Sequence, residues 1–281
     1  MGTVVLLLIC APLIIAGLMV AITFPLAWWV FPSAGRREDK GDDDTLAGRL
    51  AGGAFTLAVE WAASVWVILS VLFRFVMRPL FPPAGLRPTV VPVLLLPGYL
   101  ENALTMHWLA RKLERRLQAP VQALSPAEYL VSLERMAEDY QAQILDYLEA
   151  AGVKQVDLVG HSMGGLLARL LLEQTELRGR IRSVITLGTP HLGTAVARLA
   201  FGRNMRQMRR GSAFLEQLNA RIRQTDVHFV GICSVHDSYV LPWRCALAPF
   251  GENHVLRYCG HLTLLVSGRV AQIVARELGR E

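Results

Sequence analysis

The stretch VDLVGHSMGGLLARLLL (Val156–Leu172) sets aliphatic and β-branched residues against a run of leucines, with a glycine-flanked serine between them. Gln155–Val159 has the length and composition of a buried strand. The leucines that follow Gly165 form the core-facing side of a helix starting at Met163. A sharp strand-to-helix turn strains the residue at its apex, and Gly160 and Gly164 keep Cβ atoms out of the crowded positions beside it. The pattern G-x-S-x-G carries meaning in this setting, because the new helix aims its first backbone N–H groups at negative charge developing beside Ser162. Alone, the five residues could still be a turn with an incidental serine.

A serine hydroxyl is a weak nucleophile and needs a base, itself oriented by a third group. On a strand–turn–helix scaffold of this kind the partners follow in the order Ser, then Asp or Glu, then His. CSVHDSYVLP places Asp237 just after a strand ending near Ser234, and YCGHLTLL places His261 after the final strand. His161 adjoins the serine but should point away from the base position. His191, His236 and His254 are weaker candidates, and Asp157 and Asp226 lie at strand starts, the wrong end of the sheet. Two N–H donors are needed for the oxyanion. Met163, next after the serine, supplies one, and the loop LLLPGYLEN offers Tyr99 as the other.

The surrounding pattern supports a sheet that delivers these residues to one rim. Strands are expected at Val90–Leu96, Val121–Leu124, Gln155–Val159, Ile181–Leu187, Asp226–Ser234 and His254–Cys259. Helices are expected at Leu104–Leu117, with Leu104, Trp108, Leu109 and Leu113 on one side, at Val131–Ala151, from Met163, and at Leu262–Glu277. This βαβα alternation argues for an α/β protein with a mostly parallel sheet flanked by helices, whose sites form beyond the strand C-termini. TLGTPHLGT (Thr186–Thr194) is a structured loop on that rim. The stretch from Gly193 to about residue 220 reads as a small cap in which Leu199 and Phe201 stand among Arg198, Arg203, Arg206, Arg209 and Arg210. Such a basic amphipathic stretch suits either a lid in contact with lipid headgroups or a solvated cap helix.

Of the 281 residues, 53% are hydrophobic, and the excess is concentrated before residue 80. Met1–Gly35 contains no charged side chain, and Leu50–Phe73 contains only Glu60. Each exceeds the roughly 20 apolar residues a membrane-spanning helix requires. The expected organisation is a transmembrane helical hairpin over residues 1–80, with helices near 4–30 and 50–76 joined by a polar loop at 33–49; a buried or membrane-surface helix is the alternative for the second run. A catalytic domain over 81–281 follows the proline-rich boundary RPLFPPAGLRP. The first run lacks the basic n-region of a signal peptide and exceeds a typical h-region. Glu60, deep in the second run, is expected to be protonated or to face a partner helix or a wet cavity. Basic residues are nearly balanced across the second run, with a slight preference for a cytoplasmic loop and a periplasmic catalytic domain at a bacterial inner membrane.

The net charge of +6 suits anionic lipid, and no nucleic-acid module accompanies it. Four cysteines, Cys10, Cys233, Cys245 and Cys259, show no metal-ligand spacing, so no metal is expected. Cys245 and Cys259 could pair as a disulfide or remain buried thiols.

Taken together, PGY, VGHSMGG, LGTPHLGT, GSAFLEQL, HDSYVLP and GHLTLL resemble the bacterial lipase and esterase branch of the α/β-hydrolases. They are also similar to the eukaryotic GPI inositol-deacylase-like proteins of the same superfamily. The resemblance runs from about Val90 to the C-terminus. It implies an α/β-hydrolase fold and hydrolysis of a carboxylic ester through an acyl-serine. Ser162, Asp237 and His261 would form the triad, with Tyr99 and Met163 as oxyanion donors and no organic cofactor. The apolar segments add a bilayer as partner and point to a lipidic ester such as a phospholipid, lysophospholipid or acylglycerol. An acyltransferase using the same acyl-enzyme, a soluble short-chain esterase and a non-catalytic membrane scaffold are the alternatives. The oligomeric state is not readable.

Overall fold

The computed structural model describes residues 14, 17, 18, 20–22, 46–72, 90–221 and 226–279. Most of the first apolar run, Cys10, the connector before Thr45 and the proline-rich boundary at Arg78–Pro88 lie outside them. Six strands form a single parallel sheet: β1 (Val93–Leu96), β2 (Val121–Ala123), β3 (Val156–His161), β4 (Ile181–Leu187), β5 (His228–Ser234) and β6 (Glu252–Leu256). Their order across the sheet is β2-β1-β3-β4-β5-β6, with every neighbouring pair parallel.

Helices cover both faces, as continuous apolar strands require. Along β1 the side chains alternate: Leu94 and Leu96 join one core cluster, Val93 and Leu95 the other. The first cluster is completed by α3 (Leu133–Ala151) and α4 (Met163–Leu171), through residues such as Tyr140, Ile144, Leu166 and Leu167. The second is completed by α2 (His107–Leu117) and the closing helices, through Leu109, Leu113, Val270 and Val274. Trp108, expected on the buried side of α2, is exposed; Leu109, Ala110 and Leu113 set the buried side one residue further round. The C-terminal helix is also two pieces, α7 (Thr263–Val266) and α8 (Gly268–Leu278), because Ser267 takes an extended conformation and caps α8 through Val270 N. The stretch expected to form a cap holds α5 (Arg203–Gln207) and α6 (Ala213–Ala220).

The strand order reverses between β1 and β3, so the connections leaving these two strands diverge and open a crevice at their C-terminal ends. In register, Leu96 of β1 pairs with Gly160 of β3, placing the loop that holds Gly98 directly beside Ser162.

The apolar segment before residue 80 takes an unexpected position. Helix α1 (Leu46–Leu72) begins four residues before the expected start of its apolar run. Among the described residues, only its Gly52–Val71 portion is long and apolar enough to cross a bilayer, so a two-helix hairpin does not emerge from them. Contacts with the rest of the chain recur along its length. Thr56 Oγ1 donates to Tyr258 O (3.1 Å), Trp66 Nε1 donates to Leu104 O (3.2 Å), and Ser70 Oγ accepts from Asn102 Nδ2 (3.1 Å). Thr56, Glu60, Ser64 and Ser70 are buried, whereas Phe55 (66% exposed), Leu57 and Trp61 face outward. Over Phe55–Trp61 the helix is thus inside-out by the standard of a water-soluble protein, with polar side chains toward the protein and large apolar ones away from it. Ile14, Leu18 and Ile22, spaced four apart, are likewise exposed.

Candidate active site

Ser162 occupies φ 53°, ψ −121°, a sparsely populated region for a residue with a Cβ, at the junction of β3 and α4. The glycines beside it are required by contact. A Cβ on Gly164 would lie 2.1 Å from Leu96 O, and one on Gly160 would lie 2.5 Å from the backbone of Gly164. Ser162 N donates to Leu187 O (2.8 Å), which ties the turn to β4, and the helix behind it is buried throughout. The elbow is therefore held by its neighbours in a conformation it would not adopt alone.

Asp237 follows β5 and His261 follows β6. His261 Nδ1 lies 2.8 Å from Asp237 Oδ2. The other carboxylate oxygen of Asp237 accepts the backbone N–H groups of Tyr239 and Val240, each at 2.8 Å, so the side chain cannot rotate freely. Both residues are buried. Burial opposes charge on the His261 ring, yet the Asp237 charge and hydrogen bond outweigh it. With help from Glu60 and Glu101, they raise its pKa above the ordinary 6.5. Gly188 packs against this pair: a Cβ there would lie 2.9 Å from Asp237 Oδ2 and 3.1 Å from His261 Nδ1.

Ser162 and His261 open into one cleft of about 250 Å³, walled mainly by apolar side chains. Val67, Ile68 and Val71 of α1 form one wall, Val196, Met205 and Met208 of the cap another, and Tyr99 stands between. Met163 follows Ser162 at the first turn of α4 and is buried beneath it. Gly98 allows the β1 loop to approach, since a Cβ there would lie 3.0 Å from Ser162 Cβ. Tyr99 Oη donates to Phe201 O (2.9 Å), which links the loop to the cap.

The other histidines are occupied elsewhere. His161 points away from the cleft: Nε2 donates to His261 O (3.1 Å), and Nδ1 lies 2.9 Å from Glu101 Oε2. His191 is enclosed between Thr186 and Arg169, and burial together with the Arg169 charge pushes its pKa well below the ordinary value. Burial and the Arg257 charge lower His236 to about 4, and its Nδ1 accepts from Tyr258 N (3.0 Å). His254 pairs with Glu277 (3.2 Å). Asp157, at the far end of the sheet, is held in two contacts with Arg182 (2.9 and 2.5 Å). Cys233, Cys245 and Cys259 are free and buried, so the disulfide alternative is not formed.

Sequence reasoning overlooked Glu101 as a partner for the elbow. Its carboxylate accepts from Gly98 N (2.6 Å) and meets His161, joining the β1 loop, the residue before Ser162 and, through His161, the backbone of His261. The negative charge in PGYLEN was visible, but its partner lies 60 residues away.

The parallel sheet, the strained serine turn after β3 and the Asp–His pair beyond β5 and β6 place the molecule in the α/β-hydrolase fold class. Residues 101–243, just over half of the chain, match the PGAP1-like alpha/beta domain family, and the chain belongs to that family. The fold is shared with Aspergillus fumigatus lipase B at 18% identity and a TM-score of 0.61, over 70% of this chain and 55% of that one. The chain thus spans about half the length of that lipase. A mature Bacillus licheniformis lipase matches at 15% identity and a TM-score of 0.57, over 69% of this chain and 93% of the other. A metagenomic carboxyl esterase matches at 14% identity and a TM-score of 0.54, over 70% and 77%.

Proposed function

We propose that the protein is a membrane-anchored serine hydrolase cleaving carboxylic esters, with a lipidic ester (a phospholipid, lysophospholipid or acylglycerol) as substrate. The observation that carries this reading is the cleft itself. A strained serine and an aspartate-paired histidine open together into an apolar space whose outer walls are an inside-out helix and a cap.

In this reading Ser162 Oγ attacks the ester carbonyl carbon as His261 Nε2 takes its proton, and Asp237 holds the imidazole and stabilises the imidazolium. The carbonyl π electrons move onto oxygen, where the Met163 and Tyr99 N–H groups receive the negative charge. Collapse of the tetrahedral intermediate expels the alkoxide, which leaves as alcohol with the proton from His261. Water, activated by the same histidine, then attacks the acyl-serine and releases the acid. The fatty acyl chain lies along the Val67–Val71 wall.

Membrane attachment is supported by the outward faces. Phe55, Leu57 and Trp61 on α1 and Leu192, Leu199 and Phe201 near the cap are exposed, and Arg198, Arg203, Arg206 and Arg210 stand exposed beside the latter group. Exposed apolar residues ringed by arginine suit the acyl and phosphate layers of a bilayer. The lipase and esterase names of proteins that share the fold agree with an ester substrate.

The test is fluorophosphonate labelling of detergent-solubilised protein, with turnover measured on phospholipid vesicles and on p-nitrophenyl butyrate, for wild type and Ser162→Ala. Labelling and turnover are expected in wild type and absent in Ser162→Ala. Labelling that survives the substitution overturns the nucleophile. Turnover confined to the soluble ester overturns the lipid substrate.

A further inference from the structure

Glu60 is the only charged residue between Leu50 and Phe73. Burying a carboxylate is costly unless it is fully engaged by donors, and here both of its oxygens are engaged. Oε1 accepts from Thr263 N (2.6 Å) and Thr263 Oγ1 (2.7 Å), and Oε2 accepts from Ser238 Oγ (3.3 Å). Three donors thus converge on one buried carboxyl group. The packing is close: a Cβ on Gly260 would lie 2.4 Å from the Glu60 carboxyl.

The partners matter for where they sit. Ser238 follows Asp237, and Thr263 is two residues after His261, so one side chain of α1 grips both loops. Each loop has its own internal restraints: Asp237 is fixed by Tyr239 and Val240 N–H, and the His261 carbonyl by His161. These restraints set orientation within a loop. The separation between the loops, on which the 2.8 Å Asp237–His261 contact depends, is what a carboxylate bridging the two can set.

We propose that Glu60 is a positioning residue of the active site, spacing the Asp237 and His261 loops so that reactivity at Ser162 depends on helix α1 being docked. The inference rests on the reading of Ser162, Asp237 and His261 as a triad, and its test is built so that failure of that reading is seen separately. Its charge also bears on the base. The groups facing His261 are Asp237 from the β5 loop, Glu60 from α1, Glu101 from the β1 loop, and the rings of His161 and Tyr239. Glu60 is among those that favour the protonated ring.

The full chain in detergent, as Glu60→Ala and Glu60→Gln, provides the test, with p-nitrophenyl butyrate and a fluorophosphonate as probes. Glu60→Ala is expected to slow labelling and lower kcat about 10²-fold through misplacement, with KM changed by less than about threefold. Glu60→Gln keeps the shape and the acceptor for Thr263 but loses the charge. It is expected to move the acid limb of the kcat/KM profile about half a unit toward lower pH. A folded Glu60→Ala protein labelled within about threefold of the wild-type rate overturns the proposal. Where the alanine variant does not fold, Ser238→Ala, which cuts the bridge at the Asp237 loop, decides the matter: labelling at the wild-type rate overturns the proposal. Ser162→Ala is run alongside: labelling there defeats the triad reading itself, whatever Glu60 does.

Discussion

Asp237→Asn is the most informative perturbation of the proposed triad, because it changes charge and donor capacity with almost no change in shape. Asp237 Oδ1 accepts two backbone N–H groups at 2.8 Å, and an asparagine satisfies them only by placing its amide oxygen there. Its NH₂ group then faces His261 Nδ1, where the carboxylate oxygen stood at 2.8 Å. An NH₂ group donates, so Nδ1 must accept and the ring proton moves to Nε2. A protonated Nε2 cannot take the Ser162 proton. The loss expected for such a tautomer error is about 10⁴-fold in kcat, equivalent to about 5.5 kcal/mol of transition-state stabilisation. Turnover of p-nitrophenyl butyrate across a pH series, with a thermal melt of each sample, measures it. The melt should move by only a few degrees, because the buried backbone donors keep their acceptor. A folded Asp237→Asn protein retaining more than about a tenth of wild-type kcat would refute the assignment of Asp237 as the group that orients His261.

Three other outcomes follow from the geometry. Ser162→Gly removes the Cβ from a φ 53° position, so the variant should be unlabelled by fluorophosphonate yet more stable by about 1 kcal/mol, a rise of roughly 2–4 °C in Tm; a lower melting temperature would contradict a strained elbow. The pKa of His261 is raised, and in the proposed mechanism the neutral ring is the base, so kcat/KM should fall with acid through a midpoint above 6.5. The same shift contributes stability that is present below pH 6.5 and lost as pH rises through the folded-state pKa, measurable as a declining Tm over that window. Burial raises Cys233 to about 12 and lifts Cys245 and Cys259 as well, so the folded protein should resist iodoacetamide at these positions; a non-reducing peptide map containing a Cys245–Cys259 link would contradict the free thiols.

The sequence made the catalytic rim legible because its signals are local. G-x-S-x-G followed a strand and preceded a helix, and Asp237 and His261 each followed an apolar run, so chain order alone brought them to one end of a parallel sheet. The strand holding His254 runs from Glu252 to Leu256, earlier than its apolar composition suggested, yet the loop to His261 still leaves from its C-terminal end. What stayed hidden depends on long-range contact. Glu101 acquires its role from His161, Gly188 from the Asp237–His261 pair, and Glu60 from loops about 180 and 200 residues distant. Hydropathy located the apolar length of α1 but not its contacts with the rest of the chain. A scale that sums side chains cannot tell a helix with lipid on all sides from one whose buried stripe of Thr56, Glu60, Ser64 and Ser70 meets protein.

A tether can be exchanged for any other of similar length without altering the enzyme at its end. Helix α1 is not interchangeable in that sense. It contributes Ser64, Val67, Ile68 and Val71 to the cleft beside Ser162 and shares hydrogen bonds with the loops after β1, β5 and β6. Trimming the chain to the segment after residue 80 would not free a catalytic unit. It would leave the cleft open along one wall and remove the Glu60 contacts to Thr263 and Ser238. On the proposed reading, attachment and chemistry are inherited together in this fold, and a graft that kept one would forfeit the other.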